Sequence, residues 1–216
     1  GTGESKYTSA TLGFAWQMRD VLSVSSSYTW SKAEDNYIDW LTQFAPQNTF
    51  DLESEWGPSN HDQRHRVNLS VVYNTKNFTS AFLKNWTISF IGKFSSGRPY
   101  SLLTGVDADY GFLAGTPLGN GEGLSAPADR PAGVKRNSET TPTIQNMDLR
   151  LSRSFKLGGK TSMEAILEVF NLFNHYNVSK VQSFQTPPPG APAFGSPIVT
   201  GADYRRQVQA GVRFTF

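Results

Sequence analysis

The stretch 204–216 reads YRRQVQAGVRFTF. Tyr204, Arg206, Val208, Ala210, Val212, Phe214 and Phe216 fall on one parity, and Arg205, Gln207, Gln209, Gly211, Arg213 and Thr215 on the other. Side chains alternate between faces along a strand, so this period of two predicts a β-strand with one apolar and one polar face, sustained to the last residue. A strand ending on a large aromatic needs an apolar medium to hold it. A lipid bilayer supplies one. The competing reading of these residues alone is the last strand of a soluble sandwich or lipocalin-like barrel.

Working back from this stretch, the alternation recurs. In 6–18, Ala10, Leu12, Phe14, Trp16 and Met18 oppose Ser9, Thr11, Gly13, Ala15 and Gln17, and in 22–30, Leu22, Val24, Ser26, Tyr28 and Trp30 alternate with Ser23, Ser25, Ser27 and Thr29. In 66–74, Val67, Leu69, Val71 and Tyr73 oppose Arg66, Asn68 and Ser70, and in 86–96, Trp86, Ile88, Phe90, Gly92 and Phe94 oppose Thr87, Ser89, Lys93 and Ser95. In 144–156, Met147, Leu149, Leu151 and Phe155 oppose Asn146, Asp148, Arg150, Ser152 and Ser154. From 161 to about 174, Met163, Ala165, Leu167 and Val169 oppose Glu164, Ile166, Glu168 and Phe170, the least pure polar face of the set. Each segment predicts a strand.

The connections between these strands alternate in length. Arg19-Asp20, residues 75–85 and residues 157–160 are short, whereas 31–64, 97–143 and 175–202 run to about 34, 47 and 28 residues. Soluble hairpins seldom use such loops, and a sandwich has no reason to place them on every second connection. Short periplasmic turns alternating with long extracellular loops are the pattern of an outer-membrane barrel.

Composition points the same way. Charged residues are 18% and hydrophobic residues 38% of the 216. The balance is neutral polar, glycine and aromatic, which suits a sheet with one apolar and one polar face. No run of apolar residues reaches the length of a transmembrane helix, and no signal peptide is visible. Gly1 is not an initiator, so the chain reads as processed or cut. Cysteine is absent, which excludes a disulfide scaffold and thiolate metal sites. The net charge is +2 with interspersed signs, no basic cluster is dense enough to suggest nucleic acid, and no nucleic-acid partner is expected.

If Phe216 lies at the periplasmic rim, following the strands up and down sets Trp16, Tyr73, Trp86, Phe155 and Phe214 near that rim. Tyr28, Trp30, Phe94 and Tyr204 then fall near the outer one, giving two aromatic girdles. Arg153 and Arg206 break the apolar parity beside girdle aromatics, where a charge costs only about 0–1 kcal/mol and a long side chain can snorkel to phosphates. Lys93, Asp148, Arg150, Glu164, Glu168, Arg205 and Arg213 fall on the polar parity and are expected to line the lumen. Seven strands is an odd number. Both ends of an even barrel lie on the periplasmic side, so the chain reads as the C-terminal part of a larger barrel or as a subunit that closes by oligomerising.

These residues resemble the large TonB-dependent outer-membrane receptors, in particular the Oar-like type with a carboxypeptidase-regulatory-like domain. The similar segments are YTWSKAEDN (28–36), DQRHRVNLSVVY (62–73), FSSGRPYS (94–101), DRPAGVKRN (129–137), NMDLRLSRSFKL (146–157), EVFNLFNHYN (168–177) and RQVQAGVRFTF (206–216). The resemblance implies an all-β, antiparallel transmembrane barrel of 22 strands, of which these would be about the last seven, lacking the plug and TonB-contacting box. It implies active uptake of a siderophore, oligosaccharide or peptide. The implied partners are outer-membrane lipid and lipopolysaccharide, the TonB complex through the missing plug, and the barrel-assembly machinery. That machinery would read Val208, Ala210, Val212, Phe214 and Phe216 as an insertion signal. A passive porin or adhesion barrel shares every strand feature, and a soluble β-sandwich binding module is the reading from another class.

No catalytic chemistry is expected. His61 and His65 are spaced like a metal pair, but Arg64 and Arg66 beside them repel a cation, and 62–66 reads as the polar mouth of a strand. Glu164 and Glu168 point the same way about 13 Å apart along a strand, too far for shared acid–base work. Asp35, Asp51, Glu53 and Glu55 lack the ligand spacing of a calcium loop and read as solvated loop charge. Asn85-Trp86-Thr87 and Asn177-Val178-Ser179 are sequons without meaning in a bacterial envelope protein, and the glycine-rich stretch 119–123 lacks the strand-to-helix context of a phosphate cradle. No Ser-His-Asp order is defensible, and no cofactor is expected.

Overall fold

The computed structural model describes residues 3–36, 51–104, 130–187, 189–199 and 205–216. The elements in order are β1 (Ser5–Met18), β2 (Leu22–Asp35), a 3-10 turn (Leu52–Glu55), β3 (Gly57–Pro58), β4 (His65–Asn74), β5 (Trp86–Ser95), β6 (Pro99–Tyr100), β7 (Glu139–Thr140), β8 (Ile144–Gly158), β9 (Thr161–Phe170), β10 (Lys180–Val181), β11 (Pro197–Val199) and β12 (Gln207–Thr215). The seven long strands form one antiparallel sheet in chain order, β1-β2-β4-β5-β8-β9-β12, with β3 paired to the end of β2. The chain is thus an all-β meander in which every long strand pairs with its sequence neighbours.

Directly opposed residues on antiparallel strands point to the same side, so the register shows whether the single-strand patterns agree. They do. Leu12 faces Tyr28, Tyr28 faces Val67, and Val67 faces Phe94. Phe90 faces Leu149, Leu149 faces Val169, and Val169 faces Val208. The other side is mainly polar, with Gln17 against Ser23, Ser27 against Asn68, Asn68 against Lys93, Ser89 against Arg150, and Arg150 against Glu168, and with Val72, Ile91 and Ile166 as its apolar exceptions. One face of the sheet is therefore a continuous, mainly apolar surface, interrupted at Ser26 and Arg153, and a slip of one residue in any strand would break it up.

That apolar surface is not covered. Leu12 is 73% exposed and Phe216 89%, and Phe14, Trp16, Val208, Val212 and Phe214 are exposed as well. Among the described residues only Leu103, Val178 and Val181 are buried hydrophobics, while Ser31, Glu55, Asp62, Arg136, Asn137, Asn171 and others are buried polar groups. The arrangement is the reverse of a water-soluble domain, in which the apolar sheet face would be the core. Among the described residues β1 and β12 each pair on one side only. The cross-strand row that starts at Met18 and Leu22 passes through Tyr73, Ile88, Leu151 and Leu167 and reaches β12 at Ala210, well short of Thr215. This progressive stagger is what tilted strands in a barrel wall produce.

Several strand limits differ from those the alternation predicts. β2 continues to Asp35, since 31–35 pairs with β1 although the apolar-polar alternation has ended there. Once a strand rises above hydrocarbon both faces are wet, and periodicity no longer marks it. β8 absorbs Leu157 and Gly158 from the expected turn, with a bulge after Lys156. β9 stops at Phe170, not near Asn174, because Asn171 and Asn174 take left-handed backbone conformations at φ 48° and 53°. β12 begins at Gln207, so Arg205 and Arg206 precede the ladder. The long connections are not structureless either: β6 pairs β7, β10 pairs β11, and Leu103 bridges Phe184.

Gly97 shows how tightly one of these loop ribbons is joined to the sheet. A Cβ there would lie 1.7 Å from the Thr141 carbonyl oxygen, while Arg98 and Thr141 exchange two hydrogen bonds of 2.9 Å. Gly97→Ala is expected to detach the β6/β7 ribbon at a cost of about 1–3 kcal/mol. Hydrogen exchange should then show lost protection at Arg98 and Thr141 with the strands of the sheet unaffected; unchanged protection at both amides would refute the packing argument.

Candidate functional site

All long connections leave the same end of the sheet, and there they assemble a tier held by buried polar groups. Its centre is Arg136, which is 1% exposed. The Arg136 Nε donates to the Glu55 carbonyl at 2.9 Å, and its Nη2 meets both the carbonyl and the carboxylate of Asp35. Arg130 forms a two-pronged pair with the Glu55 carboxylate, Nη1 to Oε2 at 2.8 Å and Nη2 to Oε1 at 2.7 Å. The overshoot of β2 brings Asp35 to this level. The 3-10 turn, whose Ser54 amide donates to the Asp51 carboxylate at 3.3 Å, delivers Glu55. Next to Arg136, Asn137 sits at φ 55° and donates through Nδ2 to the Pro58 carbonyl at 2.7 Å and to Asn60 Oδ1 at 2.6 Å.

Asp62 and the asparagines of 171–177 extend the same scheme. Asp62 accepts the Ala33 amide at 2.8 Å and the Arg64 Nη2 at 2.9 Å. Asp148 accepts the Asn171 amide at 2.9 Å, Asn171 Nδ2 donates to the His175 carbonyl at 2.9 Å, and Asn177 exchanges two 2.8 Å hydrogen bonds with Gln145. Each of these side chains replaces a backbone partner where the strand ladder stops.

Between the β6/β7 ribbon, β10 and residue 130 lies a cavity of about 230 Å³ whose lining includes Asn60, Arg98, Tyr100, Ser101, Arg130 and Lys180. The Tyr100 ring lies 6.4 Å from that of Phe194. Burial, with a smaller contribution from Glu139, pushes the Tyr100 hydroxyl above the usual phenol range. The cavity thus joins cationic, hydrogen-bonding and aromatic groups.

The polar sheet face carries a second charged group. Arg150 reaches Glu168 at 3.2 Å and Glu164 at 3.7 Å, Arg213 reaches Glu164 at 3.5 Å, and Gln209 Nε2 donates to Glu168. The two carboxylates are bridged by arginines across β8, β9 and β12, an arrangement that neutralises charge and leaves no acid–base pair. Lys93 and Asp148 share this face; Arg205 lies outside it, exposed and ahead of β12.

Of the residues expected at the two rims, Trp16, Tyr73, Trp86, Phe155 and Phe214 lie at or near the short-turn ends of their strands, and Tyr28, Trp30 and Phe94 toward the long-loop end. Tyr204 and the glycine-rich stretch 119–123 lie outside the described residues. Val208, Ala210, Val212 and Phe214 lie on the apolar face of β12. His65 stacks on Tyr28 at 6.1 Å and 14°, with a 2.8 Å contact between Tyr28 Oη and His65 Nδ1, so it joins Tyr28 at the long-loop end of the sheet. The expectation that Asp35 and Glu55 are solvated is overturned: both are held in the arginine cage because the 3-10 turn and β3 fold back onto β2. Among the described residues no three His, Cys, Asp or Glu side chains gather as a metal site. Sequence reasoning missed Arg130, Arg136 and Asn137 as the keystones of the tier. Their signal was present as the charged segment 129–137 in a loop otherwise rich in glycine and proline.

An antiparallel sheet with one uncovered apolar face, aromatic rims, short turns at one end and long loops at the other defines a transmembrane β-barrel wall. The chain belongs to the outer membrane beta barrel domain family, whose model matches residues 1–209. It is accordingly a protein of the bacterial outer membrane. No curated protein and no solved structure matches it.

Arg136→Met would leave the half-buried Asp35 carboxylate without its cation and the Glu55 carbonyl without its donor; breaking a buried pair typically costs about 3–5 kcal/mol, with the lower end expected here. Arg136→Met is expected to make the tier near 51–62 and 130–141 sensitive to protease added to intact cells. Glu53→Gln, at the exposed neighbour of Glu55, should leave the cleavage pattern unchanged. Equal resistance in the Arg136 variant would mean the cage does not hold the loops.

Proposed function

We propose that this chain is part of the barrel wall of a TonB-dependent receptor that takes up a ligand actively across the outer membrane. The observation that supports this best is the sheet itself: amphipathic across seven strands, yet unpaired along both edges among the described residues. Unpaired strand edges cannot face hydrocarbon, because each orphaned backbone group there costs several kcal/mol. The sheet therefore takes further strands on both sides, in a barrel wider than seven strands can enclose, and the size of a 22-stranded receptor fits.

In this reading the polar face looks into the lumen. Lys93, Asp148, Arg150, Glu164, Glu168 and Arg213 supply hydrogen-bonding and charged groups to a plug that fills it. The cross-strand ion pairs lower the net field on that surface, as contact with a folded plug requires more than a water-filled channel does. The caged tier stands at the outer mouth and receives the ligand, and the cationic and aromatic cavity is one part of that funnel. The resemblance segments agree with this reading. YTWSKAEDN, DRPAGVKRN and EVFNLFNHYN contribute Asp35, Arg130, Arg136, Asn137, Asn171 and Asn177 to the buried network. The chain acts as a transporter part, not as an enzyme.

A passive porin is the second reading, since it shares the wall and differs in the lumen. Liposome swelling separates the two. The full-length protein reconstituted in liposomes is expected to give swelling rates in L-arabinose no higher than protein-free vesicles, because the lumen is plugged. Rapid swelling would establish an open pore and remove the receptor reading. Assembly supplies a further test. Deleting Phe216, the exposed aromatic that ends the apolar parity, is expected to reduce the folded, heat-modifiable form in outer-membrane fractions severalfold. An unchanged amount would show that the barrel-assembly machinery does not depend on this terminal aromatic.

A further inference from the structure

At the short-turn end, the connection between β4 and β5 departs from what a water-facing hairpin needs. Phe78, Phe82 and Leu83 are exposed there, Phe82 at 72%. The segment is nevertheless pinned: Thr75 Oγ1 donates to the Leu83 carbonyl at 2.6 Å, the Trp86 amide donates to Thr75 Oγ1 at 2.9 Å, and the Trp86 indole Nε1 donates to the Phe82 carbonyl at 2.8 Å. The loop thereby folds toward the apolar face of the sheet, to which Trp86 belongs.

On that same face, opposite Trp86, stands Arg153. Its guanidinium lies 5.1 Å from the Phe155 ring, 5.4 Å from Trp86 and 5.9 Å from Phe82, and its Nη2 donates to the Ala81 carbonyl. Aromatic faces hold a cation by their quadrupole and keep it from folding back into water. Arg153 makes no ion pair with a carboxylate among the described residues, whereas the nearby turn cation Lys76 is taken by Asp20 at 2.6 Å. A guanidinium fixed on an aromatic shelf at the edge of a lipid-facing surface presents a planar fork suited to phosphate oxygens.

We propose that Arg153, Trp86, Phe155 and the foot formed by Phe82 and Leu83 bind the headgroup of an anionic phospholipid in the periplasmic leaflet. Arg153 holds the phosphate, Trp86 and Phe155 sit at headgroup level, and Phe82 and Leu83 enter the acyl boundary. The occupant is a lipid, not a free anion, because the site continues into the exposed apolar sheet and because two of its members, Phe82 and Leu83, are apolar side chains left exposed among the described residues. The short-turn end places it in the periplasmic leaflet. The foot makes this wall segment a fixed point against sliding along the membrane normal.

The test uses the full-length protein in detergent, with native mass spectrometry reading retention of added dioleoylphosphatidylglycerol. Wild-type protein is expected to retain it in preference to dioleoylphosphatidylcholine, and Arg153→Gln to weaken that retention about fivefold, the effect of one interfacial arginine. Excess inorganic phosphate should not displace the lipid. Phe82→Ser leaves the strands intact, which heat-modifiable mobility verifies, and should also lower retention. Retention by Arg153→Gln or by Phe82→Ser equal to wild type would overturn the proposal, as would displacement by inorganic phosphate, which would mean a simple anion site.

Discussion

Backbone hydrogen bonds set the terms for this protein. In hydrocarbon no water can satisfy an amide or a carbonyl, so a chain crossing as strands must pair each strand with its neighbours. The seven-strand ladder does this in chain order, and the alternation of side chains follows from it: one face meets lipid, the other is turned away. Everything else depends on that ladder. The apolar surface needs no protein cover because it faces lipid, and the edge strands β1 and β12 each pair on one side among the described residues.

What packs in this molecule is correspondingly unusual. The apolar residues lie outward, and the buried groups are mostly charged or amide side chains in the loop tier. Long segments rich in glycine and proline offer little apolar area to bury, so hydrophobic collapse cannot order them. Buried arginines can, through directional bonds to carbonyls and carboxylates on several segments at once. Arg136 joins β2 to the 3-10 turn, Arg130 joins the same turn to the end of a second long connection, and Asn137 ties both to β3. Desolvating such ions is costly, and the net stability of a buried pair is modest. Its value here is geometric: these directional bonds form together in one arrangement of the loops.

The two charged systems have separate roles. The tier network is enclosed and structural, whereas the arginine–glutamate bridges of β8, β9 and β12 lie on an accessible sheet face. Pairing carboxylates on one strand with arginines on both neighbours keeps that face hydrophilic without a large field. At the opposite end of the wall, Arg153 breaks the apolar parity, and the aromatic cluster around it explains how: three rings and a carbonyl hold it at the rim.

The sequence by itself determined the seven long strands, their order, which face of each is mainly apolar and which connections are long, but not the short strands β3, β6, β7, β10 and β11 within those connections. Period-two alternation is a local property, and a membrane enforces it residue by residue, so Leu12, Val71, Leu149 and Val208 were legible without coordinates. It missed the strand ends wherever that enforcement stops, as at 31–35 of β2, where both faces are wet, and at Asn171, where a side-chain cap ends β9. Only the tertiary structure decided the loop tier, because the partners of Arg136, Arg130 and Asn137 are 36 to 101 residues away and no periodicity records such distances. The same holds for Arg153: the sequence marked it as an exception near a girdle, and the fold of the β4–β5 connection supplied the rings around it. Backbone pairing with one-sided lipid contact leaves a pattern in sequence; polar contacts between distant loops leave only residue types.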